Sequence, residues 1–432
     1  MKIKVITLGC KVNIYESEYI HSKVKKSNYE LVTDNSVADI YIINTCTVTN
    51  SADVKSRKTI SACVKENKNA IIAVVGCYSQ YRFHELKEHP NVKVILGNSG
   101  KSRIINYIDR YLETKNQMVY ITSIKDQPFE SFCTPNFETH TRAFVKIQDG
   151  CDSYCSYCII PSVRGGVRSK EENVVIEEVK RLIVRGYKEF VLVGIHTGKY
   201  GKDIDSSLYT LISKLMKLEG IKRIRISSIE VNEVHKIIAL MYEDKVVVDH
   251  LHIPLQSGTD KILKLMNRKY NTSEYKKEIE YIKQFIPNVS ITTDVIVGFP
   301  HETDEDFKET LNFIEKLGIT SIHAFPYSPR LNTPAATMDN QVDGLVKKQR
   351  VKQTLELSKK LEEKFIRSFI GEELEVLIDT IEDKYVYGYT TNYIRIKIKK
   401  DDNYLKNDLC LVKITKYENG ITTGVVKQTV NV

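Results

Sequence analysis

Apolar residues fall in two rhythms along this chain, and the changes of rhythm divide it. Up to residue 125, short β-branched runs of strand length (KVITLG, DIYIINT, IIAVVG) alternate with polar, helically patterned segments such as YESEYIHSKVKKS and DVKSRKTISACVKEN. That alternation predicts a parallel sheet covered by helices. Residues 126–140 lose periodicity and carry Pro128 and Pro135, so they read as a connection. From 141 to 370 six strand-like runs follow (RAFVKIQ, EFVLVG, RIRISSI, DHLHIPL, SITTDVIVG, SIHAFPY), separated by amphipathic stretches such as NVVIEEVKRLIVRG and EDFKETLNFIEKLG. Six βα units predict an incomplete parallel barrel, because about eight are needed to close one. One long charged helix, from about 340 to 370, completes this part. From 371 to 432 short alternating runs with turn residues between them predict a small β-barrel or sandwich. The expected class is therefore α/β: an N-terminal parallel α/β sheet domain (1–125), a linker (126–140), a partial (β/α)6 barrel with its long helix (141–370) and a small all-β barrel (371–432).

Composition narrows the classes. A chain of 432 residues is too long for one ordinary domain, and its 42% apolar content is enough for several cores. No apolar run approaches the roughly eighteen residues of a membrane helix. The opening MKIKVITLGC reads as a strand and lacks the apolar stretch of a signal peptide. A cytoplasmic protein with no membrane partner is expected. The formal charge of +9 permits a polyanionic partner without requiring one. In 371–432 tyrosine is interleaved with lysine and arginine, which suits RNA stacking and phosphate contacts and equally suits any half-exposed strand.

Nine cysteines in a chain of this class point to metal or redox chemistry before disulfides. Cys10, Cys46 and Cys77 each follow one of the first three strands. In an open α/β sheet the loops after the strands share one edge, where ligands bind, so the three should converge. Gly9 and Gly76 beside them allow close backbone approach. A single free cysteine is more often a small buried hydrophobe, and Cys63, Cys133 and Cys410 read that way. Three at equivalent strand ends favour ligation. The stretch CDSYCSYC places Cys151, Cys155 and Cys158 after the first barrel strand, where barrels carry active residues, and no fourth cysteine follows nearby. A structural zinc normally takes four protein ligands. A 4Fe–4S cluster held by three cysteines keeps one iron open to a substrate or cofactor.

The C-x-x-x-C-x-x-C spacing after the first strand of a partial βα barrel resembles the radical S-adenosylmethionine superfamily. The resemblance implies that the open iron binds S-adenosylmethionine, which is cleaved to a radical. Tyr157 matches the aromatic position near the cofactor adenine, and Gly298-Phe299-Pro300 resembles the segment that shapes the cofactor pocket. The phrases GCKVN, INTCTVT, VVGCYSQ, HIPLQSGTDKILKLMNRKY and TTDVIVGFPHETDEDF, together spanning most of the chain, are similar to the methylthiotransferase branch. That branch implies a second 4Fe–4S cluster on Cys10, Cys46 and Cys77 and a C-terminal TRAM-like RNA-binding domain. GCKVN with NTCTVT is most similar to enzymes acting on N6-threonylcarbamoyladenosine in tRNA. Relatives acting on isopentenyladenosine more usually read GCQMN, and those acting on a ribosomal protein aspartate also differ there. The implied reaction is methylthiolation of C2 of that nucleoside at position 37. Its partners would be tRNA, S-adenosylmethionine, an electron-donor protein and a sulfur source. Gly194, Glu230, Gln256 and Asp294 lie at strand ends and are candidate cofactor or substrate contacts, although such residues are as often structural. Two departures stand out: His301 occupies the usual glycine position after the GFP triplet, and SVRGGVRSK is less arginine-rich than the branch phrase. The rival from another class is a non-enzymatic RNA-binding protein with structural or redox-sensing clusters.

Overall fold

In the computed structural model every residue is described except 126, 135, 136, 138–140, 402, 431 and 432. Strands β1 (Lys2–Thr7), β2 (Glu30–Val32), β3 (Ile40–Thr45), β4 (Ile71–Gly76), β5 (Val92–Leu96) and β6 (Met118–Tyr120) form one sheet in the order β2-β1-β3-β4-β5-β6. All neighbouring pairs are parallel. Helices α1 (Lys11–Lys25), α2 (Asn50–Glu66), α3 (Cys77–Lys87) and α4 (Ile104–Thr114) supply the crossovers and cover it. β3 is buried along its whole length, as a central parallel strand with both faces covered must be. That is why it reads IYIINT, with no polar residue until its end. The strands β2, β5 and β6 extend the three read from the sequence.

The second part holds β7 (Ala143–Lys146), the short antiparallel ribbon β8 (Gln148–Asp149) with β9 (Arg168–Ser169), then β10 (Glu189–Val193), β11 (Arg223–Ile226), β12 (His250–His252), β13 (Ser290–Val297) and β14 (Ser321–Pro326). Two parallel sets, β7-β10-β11 and β12-β13-β14, are joined by a bridge between Ile224 and Val247. The result is the expected half-barrel of six strands. Between them run α5 (Ile160–Arg164), α6 (Glu172–Val184), α7 (Leu208–Leu215), α8 (His235–Glu243), α9 (Asp260–Leu265), α10 (Thr272–Phe285) and α11 (Asp304–Leu317). Asn271 with Glu274 and Thr303 with Asp306 form capping boxes that start α10 and α11.

The half-barrel does not close on itself; the first sheet braces both of its edges. Beside β7, Lys146 Nζ donates to Glu16 Oε1 of α1 at 2.8 Å. Beyond β14, Arg330 Nη2 donates to Asp53 Oδ2 at 2.8 Å and to Thr47 Oγ1 at 2.7 Å. The connection between the two parts is packed where it is described. Phe132 stacks on Tyr19 with ring centroids 4.1 Å apart, and its carbonyl accepts from Tyr15 Oη at 2.6 Å.

Helix α12 (Gly344–Arg367) runs past β14 into β15 (Glu373–Ile381), β16 (Tyr385–Thr390), β17 (Arg395–Lys399), β18 (Leu409–Glu418) and β19 (Ile421–Val430). These form a closed barrel, β15-β16-β17-β19-β18, which decides between the barrel and the sandwich. It docks beneath the half-barrel: buried Arg223, at the start of β11, donates to the carbonyls of Tyr389 and Glu375 at 2.7 and 2.9 Å. Among the described residues no helix is long and apolar enough to cross a membrane.

Candidate active site

Three strand ends bring Cys10, Cys46 and Cys77 together. Cys10 follows β1 and precedes the first turn of α1, Cys46 follows β3, and Cys77 opens α3 after β4. The two glycines are explained by contact. Gly9 has φ +104°, and a side chain there would put its Cβ 2.6 Å from Cys46 Cβ. Gly76 has φ +101°, with the Thr45 carbonyl 2.6 Å from any added Cβ. Cys46 and Cys77 are buried and Cys10 is exposed, so the group opens to one side. Although Cys10 keeps an exposed surface, the groups packed around its sulfur raise its thiol, and burial together with Cys77 pushes Cys46 up to about 12.

Beside this triad lies a buried charge cluster. Arg164 Nε stands 3.2 Å from Cys77 Sγ, its Nη2 donates to Asn13 Oδ1 at 2.9 Å, and its Nη1 reaches Asp149 and Glu16 at 3.0 and 3.2 Å. Lys101 and Lys146 complete the neutralisation of Glu16 and Asp149. Burial alone would raise both carboxyls, but Lys101 chiefly holds Glu16, and Arg164 chiefly holds Asp149, well below the usual range. Asn98 Nδ2 also approaches Cys77 Sγ, at 3.4 Å.

Cys151, Cys155 and Cys158 sit on the loop after β8, over the mouth of the half-barrel. His196 Nδ1 is 3.5 Å from Cys151 Sγ, and its Nε2 is 2.9 Å from Glu233 Oε2. Burial raises the Cys151 thiol, yet His196 and Ser153 outweigh it and leave it below its ordinary value. Burial lowers His196, yet Cys151 and Glu233 raise it to about 9. Arg268 Nη1 is 3.4 Å from Cys155 Sγ, and its Nη2 pairs with Glu230. Burial pushes Cys158 up to about 12. Ile159, Ile160 and Val163 pack between this loop and Cys77, so one small apolar cluster touches both triads.

The remaining candidates separate. Tyr157 meets buried Phe299 edge-on at 6.4 Å, which brings the aromatic position and the GFP segment together. Pro300 is buried beside them, and Gly298 has φ +69° with Lys347 where a side chain would sit. Gly194 packs on Gln148, whose Oε1 accepts from the amides of Ile195 and His196. Glu230 is reached from the cysteine loop through Arg268. Gln256, at φ +69°, bridges to β13 through its backbone, its amide donating to Asp294 O at 2.8 Å. Asp294 stands within β13 (Ser290–Val297) and not at a strand end as expected, and it faces His252 Nε2 and His323 Nδ1, each 3.3 Å away. Burial raises its carboxyl and the two imidazoles bring it down. These three groups have metal-ligand chemistry, and they already satisfy one another. The sequence reading omitted Arg164, His196, Arg268, His252 and His323. His252 and Arg268 stand inside the HIPLQSG…RKY phrase; the others carried no spacing signal. Cys63 and Cys410 lie in the cores of α2 and β18, and Cys133 is half-buried, all apart from both triads.

All six triad sulfurs are free thiols, and at least one sulfur of each triad has a basic side chain within 3.5 Å. An iron–sulfur cluster is held by thiolates and tuned by hydrogen bonds to its sulfurs, so these residues fit one.

Comparison with known proteins gives concordant matches. Residues 145–314 match the Radical SAM superfamily, and residues 2–97 match the family described as Uncharacterized protein family UPF0004. The chain is 41% identical over 419 residues to the Threonylcarbamoyladenosine tRNA methylthiotransferase MtaB of Bacillus subtilis (strain 168), covering 95% of this chain and 93% of the relative. It is 38% identical to the protein of the same name in Aquifex aeolicus (strain VF5), covering 92% and 96%. It is 35% identical to the tRNA-2-methylthio-N(6)-dimethylallyladenosine synthase of Clostridium tetani (strain Massachusetts / E88), covering 86% and 84%. Among solved structures, the radical S-adenosylmethionine methyltransferase TsrM from Kitasatospora setae shares the fold, with TM-score 0.56 at 12% identity over 78% of this chain and 77% of that one.

Proposed function

The chain belongs to the radical S-adenosylmethionine methylthiotransferase family, and from that premise we propose that it adds a methylthio group to C2 of N6-threonylcarbamoyladenosine at position 37 of tRNA. It is an enzyme that uses a 4Fe–4S cluster and S-adenosylmethionine. In our reading it holds two clusters, one on Cys151, Cys155 and Cys158 and one on Cys10, Cys46 and Cys77. The observation that carries this is the presence of two thiol triads, each with its own basic partners, on either side of one apolar cluster. Bound there, the clusters would supply one-electron cleavage of S-adenosylmethionine and a site for the transferred sulfur.

The chain's own residues then bind, orient and shield. Tyr157, held edge-on by buried Phe299, offers aromatic surface for the cofactor base beside the cysteine loop. Arg268 and His196 hold Cys155 and Cys151 while being held by Glu230 and Glu233. Arg164 fixes the side of Cys77 against the half-barrel. Ile159, Ile160 and Val163 keep water from the space between the triads. The C-terminal barrel supplies the RNA-facing surface in this reading, and a separate electron-donor protein and sulfur source act as partners. Identity to relatives named for threonylcarbamoyladenosine reaches 41%, against 35% for those named for dimethylallyladenosine, which supports the choice of nucleoside.

The test is mass spectrometry of tRNA nucleosides from cells with and without the gene. Loss of 2-methylthio-N6-threonylcarbamoyladenosine, with accumulation of its unthiolated precursor, is the expected outcome. A fall in the isopentenyl nucleoside alone would sink the substrate assignment.

A further inference from the structure

Where the half-barrel, the first sheet and the C-terminal barrel meet, basic groups gather with few carboxylates to match them. Arg225, on the inner face of β11, is 2% exposed; its Nε donates to Glu189 Oε1 at 2.9 Å, but Nη1 and Nη2 have no hydrogen-bond partner among the described residues. Tyr393, from the turn after β16, lies over that guanidinium with its ring centroid 4.4 Å away, and its hydroxyl accepts from Arg142 Nη1 at 3.0 Å. Arg142 also covers Tyr389 at 4.9 Å. Lys11, the residue after Cys10, keeps an exposed surface, but the packing around its ammonium lowers its pKa, Tyr393 raises it, and Arg225 and Arg142 lower it further. His250 is tilted against Tyr393 at 4.8 Å, 7% exposed, with its Nδ1 unpartnered among the described residues.

The charges do not cancel. One carboxylate, Glu189, serves Arg225 at 2.9 Å, Arg223 at 3.8 Å and, at longer range, Arg142, and Lys11 adds a further positive charge. Arg223 has Glu375 besides, and Asp294 is engaged by His252 and His323. A buried guanidinium with unmet donors costs stability unless something supplies an acceptor. Two further groups register the positive field. Burial raises the Tyr393 phenol, but Arg142 and then Arg225 bring it below its ordinary value. Burial, and after it Arg225 and Lys11, hold His250 well below its own.

We infer that Lys11, Arg142 and Tyr393, backed by Arg225, form a carboxylate-binding subsite that selects the nucleoside by the carboxylate of its threonylcarbamoyl side chain. The inference rests on the substrate reading above and deepens it. Placement favours it: Lys11 follows Cys10 directly, so the subsite and the sheet triad meet at the start of α1. A dimethylallyl side chain has no charge to offer these groups. Discrimination by an unmet buried partner is the strong kind, because the wrong substrate leaves the site's polar groups unpaired. A backbone phosphate is the other anion with the same chemistry, and every tRNA carries it.

The experiment uses the reconstituted holoenzyme under anaerobic conditions with two synthetic anticodon stem-loops, one bearing N6-threonylcarbamoyladenosine and one bearing its threoninamide analogue. All phosphates are identical; only the carboxylate differs. The wild-type enzyme is expected to lose about 10- to 100-fold in kcat/KM on the amide, the scale of a hydrogen bond to a charged group. Lys11→Gln should lose a similar factor on the acid and little further on the amide. Tyr393→Phe, which keeps the ring and removes the hydroxyl, should show the same non-additive pattern at smaller size. If both variants weaken the two RNAs equally, the subsite reads a phosphate and the inference fails. If the wild-type enzyme treats acid and amide alike, it fails alone, with the substrate reading intact. If neither RNA is modified while an isopentenyladenosine RNA is, both readings fall together.

Discussion

Cys151, Cys155 and Cys158 come from one loop, whereas Cys10, Cys46 and Cys77 are gathered from three strand ends of one sheet. The loop triad needs only a turn, with Tyr154 at φ +46° and Arg268 and His196 outside it. The sheet triad needs the registers of β1, β3 and β4 to hold simultaneously, and it leans on Arg164, which belongs to the half-barrel. The difference teaches that a cysteine loop can be autonomous in sequence while a thiol edge is a property of the fold. Damage to packing should therefore reach the sheet triad first.

Removing one thiol from each is the strongest way to test that comparison. Cys155→Ala is expected to abolish S-adenosylmethionine cleavage, more than about 1,000-fold, because no other chain group replaces its cluster. Cys46→Ala should keep the cleavage and stop thiolation, with iron falling by roughly four atoms per chain. Equal loss of cleavage in both variants would mean that the two triads do not divide the labour.

Arg164→Met comes next in size. It leaves Glu16 and Asp149 short of a buried partner, at a cost of about 3–5 kcal/mol in urea unfolding. Iron should be lost from the sheet triad while the loop triad retains its own. The same contact sets an acid limit. Glu16 and Asp149 have folded-state pKa values below their ordinary 4.5 and 3.8, so their stabilisation is present above that range and is lost as pH falls through the depressed values. Stability of Glu16→Gln should accordingly fall less between pH 5 and pH 3 than that of the wild type, measured by thermal unfolding. A steeper fall in the variant would contradict the sign.

Smallest is Gly9→Ala. At φ +104°, with Cys46 2.6 Å from the added carbon, it should cost about 1–3 kcal/mol and loosen only the sheet triad. Unchanged iron content and stability would show that this edge is more pliant than the packing indicates.

Much of the fold is legible because its strands are long β-branched runs separated by helical patterns, as in IYIINT and SITTDVIV. β2 and β6 are three residues each, too short to stand out from their surroundings. The thiols are legible for a chemical reason, since cysteine in a repeated setting has few uses. Arg164 is not, because SVRGGVRSK says nothing of the Cys77, Glu16 and Asp149 that surround it, which lie up to 148 residues away. His323 reads as one more strand residue until β14 pairs with β13 and sets it opposite Asp294. His301 shows the reverse case. Its φ of +68° explains why a glycine suits the position, and its ring and amide bond to Asn340 at 3.0 and 3.1 Å hold the histidine there.

The pair of braces on the half-barrel has a bearing on how the protein is born. During synthesis the first sheet leaves the ribosome long before residue 330 exists, so Asp53 and Thr47 wait for Arg330 through nearly three hundred residues of translation. The clasp at Glu16 can engage once Lys146 and Arg164 emerge, while that at Asp53 cannot. The chain thus braces the second edge of its half-barrel late, and the loop bearing Cys151, Cys155 and Cys158 is made while that brace is still missing.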